Sequence, residues 1–152
     1  ELIEENIESL SHLAEEKKMI ISFNQTEVLF YGNRKLIDDL VRNLISNAIK
    51  YSKEENAYLD INLFDSFDHV EIIFTDNGIG IGPEDQKRVF ERFFTVDKAR
   101  SKKSGTGLGL SLVKHIALMH KGSVRLESRL GIGSTFYVSL PKLTDVDYEN
   151  KI

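Results

Sequence analysis

The sequence predicts an α+β domain in which helices cover one face of a mixed sheet. Segments with helical periodicity alternate along the 152 residues with pairs of strand-like runs. Between Asp76 and Gly109 the regular pattern breaks: glycines cluster at either end of the segment, and one short helical stretch lies between the clusters. The prediction depends on this order: helix, strands, long helix, strand hairpin, glycine-rich region, helix, strand hairpin.

The first half of the chain supplies two predicted helices and a strand pair. Apolar residues from Leu2 to Ala14 recur at helical spacing, which predicts an amphipathic helix ending in the charged residues 15–18. The β-rich runs 19–23 and 27–31 are separated by a polar turn, so they predict a short strand pair. Residues 35–52 carry a continuous apolar stripe and predict a long helix that faces the core.

The second half supplies two predicted hairpins and two helices. In chain order they are the antiparallel strands 57–64 and 69–76, a short helix at 84–93, a helix at 110–120, and the strands 123–128 and 134–140. We assign residues 1–143 to one domain and residues 144–152, which are rich in acidic side chains, to a flexible C-terminal tail.

Composition excludes several classes of protein. The chain has no cysteine, which excludes disulfides, thiolate metal sites and cysteine nucleophiles. No apolar run approaches the roughly 20 residues that a membrane-spanning helix needs. A net charge of -4 and a pI near 5.6 argue against a nucleic-acid-binding protein, because affinity for the phosphate backbone comes from massed Lys and Arg.

Three polar residues share one face of the long predicted helix. Asn43, Asn47 and Lys50 follow one another at i, i+4 and i+7, on the side opposite the apolar stripe. Asparagine is unfavourable inside a helix, so this pattern indicates a use. Amide oxygens can ligate a hard cation such as Mg²⁺ while the lysine meets a phosphate. The alternative is an ordinary solvated helix face.

A carboxylate and closely spaced glycines follow the predicted strand 69–76. An ionised Asp76 only accepts hydrogen bonds, so it suits an exocyclic amino group such as that of adenine. Gly78 and Gly80 would let the backbone approach the base closely. The alternative is an ordinary Asn-Gly turn.

A second glycine cluster, residues 105–110, opens the helix at 110–120, where backbone N–H groups can face a phosphate. The dinucleotide pattern G-x-G-x-x-G fails because Leu110 stands at its last position and no strand directly precedes it, and no Walker lysine is present. The preceding basic loop would suit a lid that closes on a polyphosphate through Arg92, Lys98 or Arg100.

Together these motifs resemble the conserved boxes of sensor histidine kinases. The segments 43–52, 76–81, 88–94, 105–116 and 131–136 are similar to the N, G1, F, G2 and G3 boxes, in the same order. The resemblance implies the fold shared with DNA gyrase B, the Hsp90 chaperones and MutL. That fold, of the Bergerat type, is a two-layer α/β sandwich in which a mixed, mostly antiparallel sheet packs on helices.

The resemblance also implies a role for each residue of the site. It implies that ATP and Mg²⁺ are bound, with Asn43 and Asn47 as metal ligands and Lys50 on a phosphate. Tyr51 would lie against the adenine ring and Asp76 would take its amino group. The remaining implied contacts to the nucleotide come from Gly78, Gly80, Ile81, Phe90, Lys98, Arg100, Gly105, Thr106, Gly107, Leu108, Gly109, Leu110 and Thr135. Of these, we also interpret Phe90 as packing the base of the lid on the core.

The implied activity is transfer of the ATP γ-phosphoryl group to a histidine on a dimerisation domain outside this region, for relay to a response regulator. Asn43 stands where ATP-hydrolysing relatives carry a glutamate general base, and an amide has no useful basicity. His12 is followed by Leu13, so it does not match the acceptor histidine. The resemblance further implies a membrane-anchored homodimer whose catalytic domain lies on the cytoplasmic side of the cell membrane.

One departure from the pattern keeps alternatives open. Many relatives carry Arg or Lys where this chain has Thr95, a position associated with the γ-phosphate. A nucleotide-binding module that does not transfer phosphate is therefore one alternative, and a serine kinase of the anti-sigma type, which shares the boxes, is another.

Overall fold

In a computed structural model the protein is described over residues 1–24, 26–95 and 109–143. The helices are α1 (Leu2–Ser9), α2 (Ser11–Glu16), α3 (Arg34–Lys50), α4 (Pro83–Gln86) and α5 (Gly109–Met119). The strands are β1 (Ile20–Phe23), β2 (Tyr58–Asp65), β3 (His69–Asp76), β4 (Ser123–Arg129) and β5 (Gly133–Pro141). No helix in these ranges is long and apolar enough to cross a membrane.

The strands form a single sheet of mixed direction, in the order β1-β2-β3-β5-β4. Only β1 and β2 run parallel, and the other neighbouring pairs are antiparallel. The β2–β3 and β4–β5 hairpins lie side by side through β3 and β5. The predicted mixed, mostly antiparallel sheet is confirmed, as are both hairpins.

Alternation along the central strands puts the core between sheet and helices. Val70, Ile72 and Phe74 of β3 are buried, and so are Phe136, Val138 and Leu140 of β5, whereas the residues between them are half-buried. The same sheet face packs against the apolar stripes of α3 and α5, which form the second layer. This is the predicted two-layer α+β sandwich.

Helix α3 begins and ends close to its predicted bounds. Its N-cap is Asn33, whose side-chain oxygen accepts a 3.1 Å hydrogen bond from the Leu36 backbone N–H. The stripe from Leu40 to Ile49 is buried against the sheet. The polar face opposite this stripe is therefore held at a fixed rotation relative to the sheet.

Three local predictions were wrong. The N-terminal helix is not continuous: it breaks at Leu10, whose backbone (φ -100°, ψ 4°) leaves the helical region and separates α1 from α2. Residues 27–31 form no strand, because β1 pairs with β2 instead, and Val28 and Phe30 pack against the core while Leu29 is exposed.

The predicted helix at 84–93 extends only over α4. After it the chain continues in turns, Val89 is buried, and Phe93 has a positive φ of 64° that a helix cannot contain. The apolar periodicity of this segment reflects anchoring points of a turn rather than one face of a helix.

Candidate functional site

The polar face of α3 lies against the start of α5. The Asn43 side-chain nitrogen donates a 2.7 Å hydrogen bond to the Asp39 carbonyl, and its amide oxygen, which takes no part in that bond, can act as an acceptor or a ligand. That oxygen faces Gly109, since a Cβ added to Gly109 would lie 2.9 Å from it. Asn47 and Lys50 are half-buried on the same helix face.

The donors on this face fit Mg²⁺ better than a softer metal. A neutral amide oxygen is a hard ligand that leaves the other positions of the ion for water and phosphate oxygens. In the described residues no group of three or more His, Cys, Asp or Glu side chains is arranged to hold a metal. If a hard cation binds at this face, Asn43 and Asn47 are the side chains that would hold it, together with phosphate oxygens of a ligand.

The C-terminus of α3 is joined to the loop that follows β3. The Tyr51 carbonyl accepts a 3.1 Å hydrogen bond from the Ile79 N–H, and a Cβ on Gly78 would lie 2.4 Å from that carbonyl. Only glycine allows this approach. Lys50 Nζ lies 5.4 Å from the Tyr51 ring centroid, and partial burial lowers the pKa of Lys50 and raises that of Tyr51.

Asp76 ends β3 with its side chain on the helix-facing side of the sheet, in step with Ile72 and Phe74. Its carboxylate accepts hydrogen bonds from the backbone N–H groups of Gly78, at 2.9 Å, and Ser134. Burial raises the pKa of Asp76 above its ordinary value and outweighs these hydrogen bonds, which lower it. A half-buried carboxylate with capacity to accept more bonds suits a ligand that carries hydrogen-bond donors.

The turn between β4 and β5 is in close contact with the loop that follows β3. Gly80 has a φ of +69°, and a Cβ there would lie 2.1 Å from the Arg129 carbonyl. Gly133 has a φ of +147°, and a Cβ there would lie 2.1 Å from the Asp76 carbonyl. Both positions thus require glycine for conformation and for space. The loop carrying the candidate base-binding groups is held between α3 and this turn.

Thr135, a predicted contact residue, lies on the sheet face opposite that of Asp76. Residues of β5 alternate, so Thr135 lies on the outer face of the sheet, with Oγ1 3.4 Å from Thr75 Oγ1. Its neighbour Ser134 is 7% exposed, is paired with Asp76 in the sheet register and lies on the same face as Asp76. Ser134 is the residue that the sequence analysis missed, and its alternation with Phe136 and Val138 is the signal that would have found it.

Two further predicted contact residues pack on the core. The Phe90 ring lies edge-on to the Phe136 ring at 6.3 Å between centroids, and Lys114 Nζ lies 6.0 Å from it. Leu110 also packs against the buried cluster. This agrees with the interpretation of Phe90 as the base of the lid.

The predicted lid and its hinge lie outside the described residues. This holds for Lys98, Arg100, Gly105, Thr106, Gly107 and Leu108, and likewise for the predicted tail at 144–152. On the near side of this gap, Phe94 lies under the Arg88 guanidinium at 4.7 Å and is followed by Thr95. On the far side α5 begins directly with Gly109.

Residues 32–144 match the family model for histidine kinase-, DNA gyrase B-, and HSP90-like ATPases. The chain belongs to this family. It is a histidine-kinase-type ATP-binding domain, since its relatives at the level of sequence are named sensor kinases. Membership in this ATPase family implies nucleotide binding.

Individual relatives match this family domain closely. The chain is 50% identical over 115 residues to the sensor-like histidine kinase SenX3 of Mycolicibacterium smegmatis. The matched region covers 75% of this chain and 30% of that protein. The catalytic domain of histidine kinase ThkA has a TM-score of 0.79 at 27% identity, covering 93% of this chain and 92% of that one. Full-length ShkA in complex with AMPPNP has a TM-score of 0.81 at 25% identity, covering 94% of this chain and 30% of that one. The chain thus spans about a third of the length of SenX3.

Proposed function

We propose that this histidine-kinase-type domain binds Mg²⁺–ATP and transfers its γ-phosphoryl group to a histidine on a dimerisation domain outside the residues 1–143, which form the catalytic domain. The observation that carries the proposal is the position of α3. This helix presents Asn43 to the first residue of α5 and its C-terminal carbonyl to Gly78 and Ile79. One rigid element therefore holds the motifs for metal, base and phosphate together.

In this proposal each end of the site recognises a different part of the nucleotide. Asp76 accepts from the adenine amino group, Tyr51 lies against the ring, and Gly78, Gly80 and Ile81 shape the base pocket. Asn43 and Asn47 hold the metal ion and Lys50 a phosphate. Residues outside the described ranges supply the rest, with Arg100 and Lys98 on the phosphates. Gly105, Thr106, Gly107 and Leu108 form the hinge of the lid together with Gly109, the first residue of α5.

The chain contributes positioning and charge neutralisation to the reaction, since Mg²⁺, when bound, withdraws charge from the phosphate oxygens. Asn43 cannot deprotonate a water molecule, because an amide is not a base. The γ-phosphoryl group is thus protected from hydrolysis and kept for an imidazole, which is nucleophilic when neutral. This favours a kinase over a gyrase-type or chaperone-type ATPase.

The full protein, in this proposal, is a homodimer anchored in the cell membrane with this domain on the cytoplasmic side. The phosphohistidine formed on the dimerisation domain would pass its phosphoryl group to a response regulator. Support for this larger picture is the similarity to the sensor kinases SenX3 and RppB.

Calorimetric titration of the chain with ADP and with AMPPNP, with and without Mg²⁺, tests the nucleotide site. We expect Mg²⁺-dependent binding that is lost in Asp76→Asn. Incubation with radiolabelled ATP and the dimerisation domain from the same protein tests the transfer. We expect an acid-labile label on that domain and little phosphate release without it, whereas an acid-stable label would indicate a serine kinase and contradict the proposal.

A further inference from the structure

The Ser128 hydroxyl lies where three segments of the site meet. It accepts a 2.8 Å hydrogen bond from the Ile81 backbone N–H, donates a 2.9 Å bond to the Gly133 carbonyl, and lies 2.7 Å from Ser134 Oγ. A hydroxyl has one proton to donate and two lone pairs to accept with. When Ser128 donates to the Gly133 carbonyl, its two lone pairs accept from the Ile81 N–H and the Ser134 hydroxyl, and its hydrogen-bonding capacity is fully used.

A second side chain fixes the same junction. The Gln86 side-chain nitrogen donates to the Ile81 carbonyl at 2.6 Å and to the Ser128 carbonyl at 2.9 Å. Both backbone groups of Ile81 are therefore held relative to β4. The loop that follows Asp76 cannot shift along β4 without breaking several of these bonds at once.

Ser128 also occupies a core-facing position of β4, at which an apolar side chain is the usual choice. It shares the core-facing side of β4 with Val124 and Leu126. A hydroxyl on this face must be hydrogen-bonded to avoid a desolvation cost. The network just described satisfies it, so the serine is explained by what it holds rather than by packing.

In the arrangement that satisfies the Ile81 N–H, the Gly133 carbonyl and both hydroxyls, Ser134 is the donor to Ser128. If Ser134 donates its hydroxyl proton to Ser128, its oxygen can only accept from any other group. The neighbouring Asp76 carboxylate, which already accepts from the Ser134 N–H, can also only accept when ionised. The end of the base pocket thus presents acceptors and no side-chain proton.

We infer that Ser128 is a positioning residue that makes this end of the pocket acceptor-only and thereby selects a 6-amino purine over a 6-oxo purine. A 6-amino group donates to both acceptors, whereas a 6-oxo group would face their lone pairs. The inference rests on the proposed nucleotide site and deepens it, because it assigns base selectivity to a residue that does not touch the base.

Displacement of a fluorescent adenine nucleotide by AMPPNP and by GMPPNP, both with Mg²⁺, tests the inference in Ser128→Ala. We expect AMPPNP affinity to fall by about threefold to tenfold, the factor for one hydrogen bond. The ratio of AMPPNP to GMPPNP affinity should fall further, because the released Ser134 proton can then be donated to a 6-oxo group. Ser128→Thr keeps the hydroxyl and should restore the ratio.

Ser123→Ala is the matched control, since Ser123 lies on the same strand and is exposed. An unchanged ratio in Ser128→Ala, or an equal loss for both nucleotides, would assign Ser128 a structural role only and overturn the inference. Should thermal melting show that Ser128→Ala is unfolded, Ser128→Cys, similar in size and weaker in hydrogen bonding, carries the same test with the same expected direction.

The inference and the proposed function fail in different ways. If the wild-type chain binds neither nucleotide, the proposed function is wrong. If the wild type binds AMPPNP and Asp76→Asn abolishes binding while the ratio in Ser128→Ala is unchanged, only the role of Ser128 is wrong.

Discussion

The Asn43 amide oxygen and Gly109 are in contact across the α3–α5 interface, with 2.9 Å between that oxygen and the place of a Cβ on residue 109. The contact joins the proposed metal ligand to the first residue after the lid. Because real Cβ atoms essentially never approach an oxygen so closely, an added methyl group must displace the amide or the helix start.

Gly109→Ala is therefore expected to weaken Mg²⁺-dependent binding. Gly109 has no positive φ, so alanine fits its backbone and acts through the contact alone. Affinity for Mg²⁺–AMPPNP should fall by about tenfold or more, as for a displaced metal ligand, with a smaller change for Mg²⁺-free ADP. Calorimetry of both complexes measures this.

Gly82→Ala is the control, because a Cβ there would meet nothing within 4 Å. Equal losses for the two ligands in Gly109→Ala would show that the contact does not serve the metal.

Burial of the Asp76 carboxylate should lower the stability of the folded protein at neutral pH. The proposed binding of adenine needs this carboxylate in its ionised form. Its pKa is raised in the folded protein, so the folded state takes up a proton more readily than the unfolded chain. The stabilising contribution of the protonated Asp76 carboxyl group to folding is fully present below its ordinary pKa of 3.8. It is lost as the pH rises through the higher pKa that the group has in the folded protein. At neutral pH the ionised side chain destabilises the nucleotide-free protein.

Asp76→Asn should accordingly raise the melting temperature of the nucleotide-free chain at neutral pH while abolishing nucleotide binding. The amide oxygen can still accept from the Gly78 N–H, so the loop after β3 keeps this bond. Differential scanning fluorimetry from pH 4 to pH 8 measures the difference. A mutant less stable than wild type across this range would show that the carboxylate contributes to folding, contrary to the raised pKa.

The helices and strands that the sequence predicts correctly are those that are determined by neighbouring residues in the chain. Helix α3 and the two hairpins follow from periodicities and turns within about 20 residues of chain. The failed strand at 27–31 was β-rich, but β1 obtains its partner from β2, residues Tyr58–Ile61 in the register, far along the chain. The β-propensity of a short segment does not show which distant segment it will pair with.

The site shows the same limit at the level of single residues. Asp76, Gly78 and Gly80 were identified from a local motif, and the structure gives each a contact that fits it. Thr135 was named through the resemblance alone, and it faces the side of the sheet opposite that of its neighbour Ser134. Ser128 and Gln86 lie outside the glycine clusters, and only the folded chain brings them to Ile81.

Asn6 joins α1 to α3 through a partly buried hydrogen bond that gives a test of the N-terminal packing. It is 1% exposed, and its side-chain nitrogen donates to Asp38 Oδ1 at 2.7 Å and to the Leu2 carbonyl at 3.0 Å. Asn6→Asp would place two carboxylates against each other in a buried site. We expect a loss of about 3 kcal/mol in the free energy of unfolding at pH 7, measured by urea denaturation.

The double variant Asn6→Asp/Asp38→Asn restores a donor and an acceptor between residues 6 and 38, but not the bond to the Leu2 carbonyl, and should recover part of that loss. The defect of the single variant should also shrink at low pH, where one carboxyl is protonated. If the double variant is as unstable as Asn6→Asp alone, the hydrogen bond to Asp38 is not what the asparagine provides.

Thr95 offers the sharpest test of transfer as distinct from binding. It is half-buried directly after Phe94, at the point where the described chain enters the basic segment. An uncharged side chain here cannot neutralise the negative charge that develops on the transferred phosphoryl group. In the proposal, Arg100 and Lys98 neutralise that charge instead.

Thr95→Arg should raise the rate of phosphoryl transfer to the dimerisation domain by about tenfold or more, the scale on which a well-placed cation acts on this chemistry. ADP affinity should stay unchanged, because ADP lacks the γ-phosphate. Single-turnover transfer from radiolabelled ATP separates the two effects, and Thr95→Gln, long but uncharged, is the control. If Thr95→Arg and Thr95→Gln transfer at the wild-type rate, residue 95 is not the source of the missing charge, and the combined removal of Arg100 and Lys98 becomes the decisive variant.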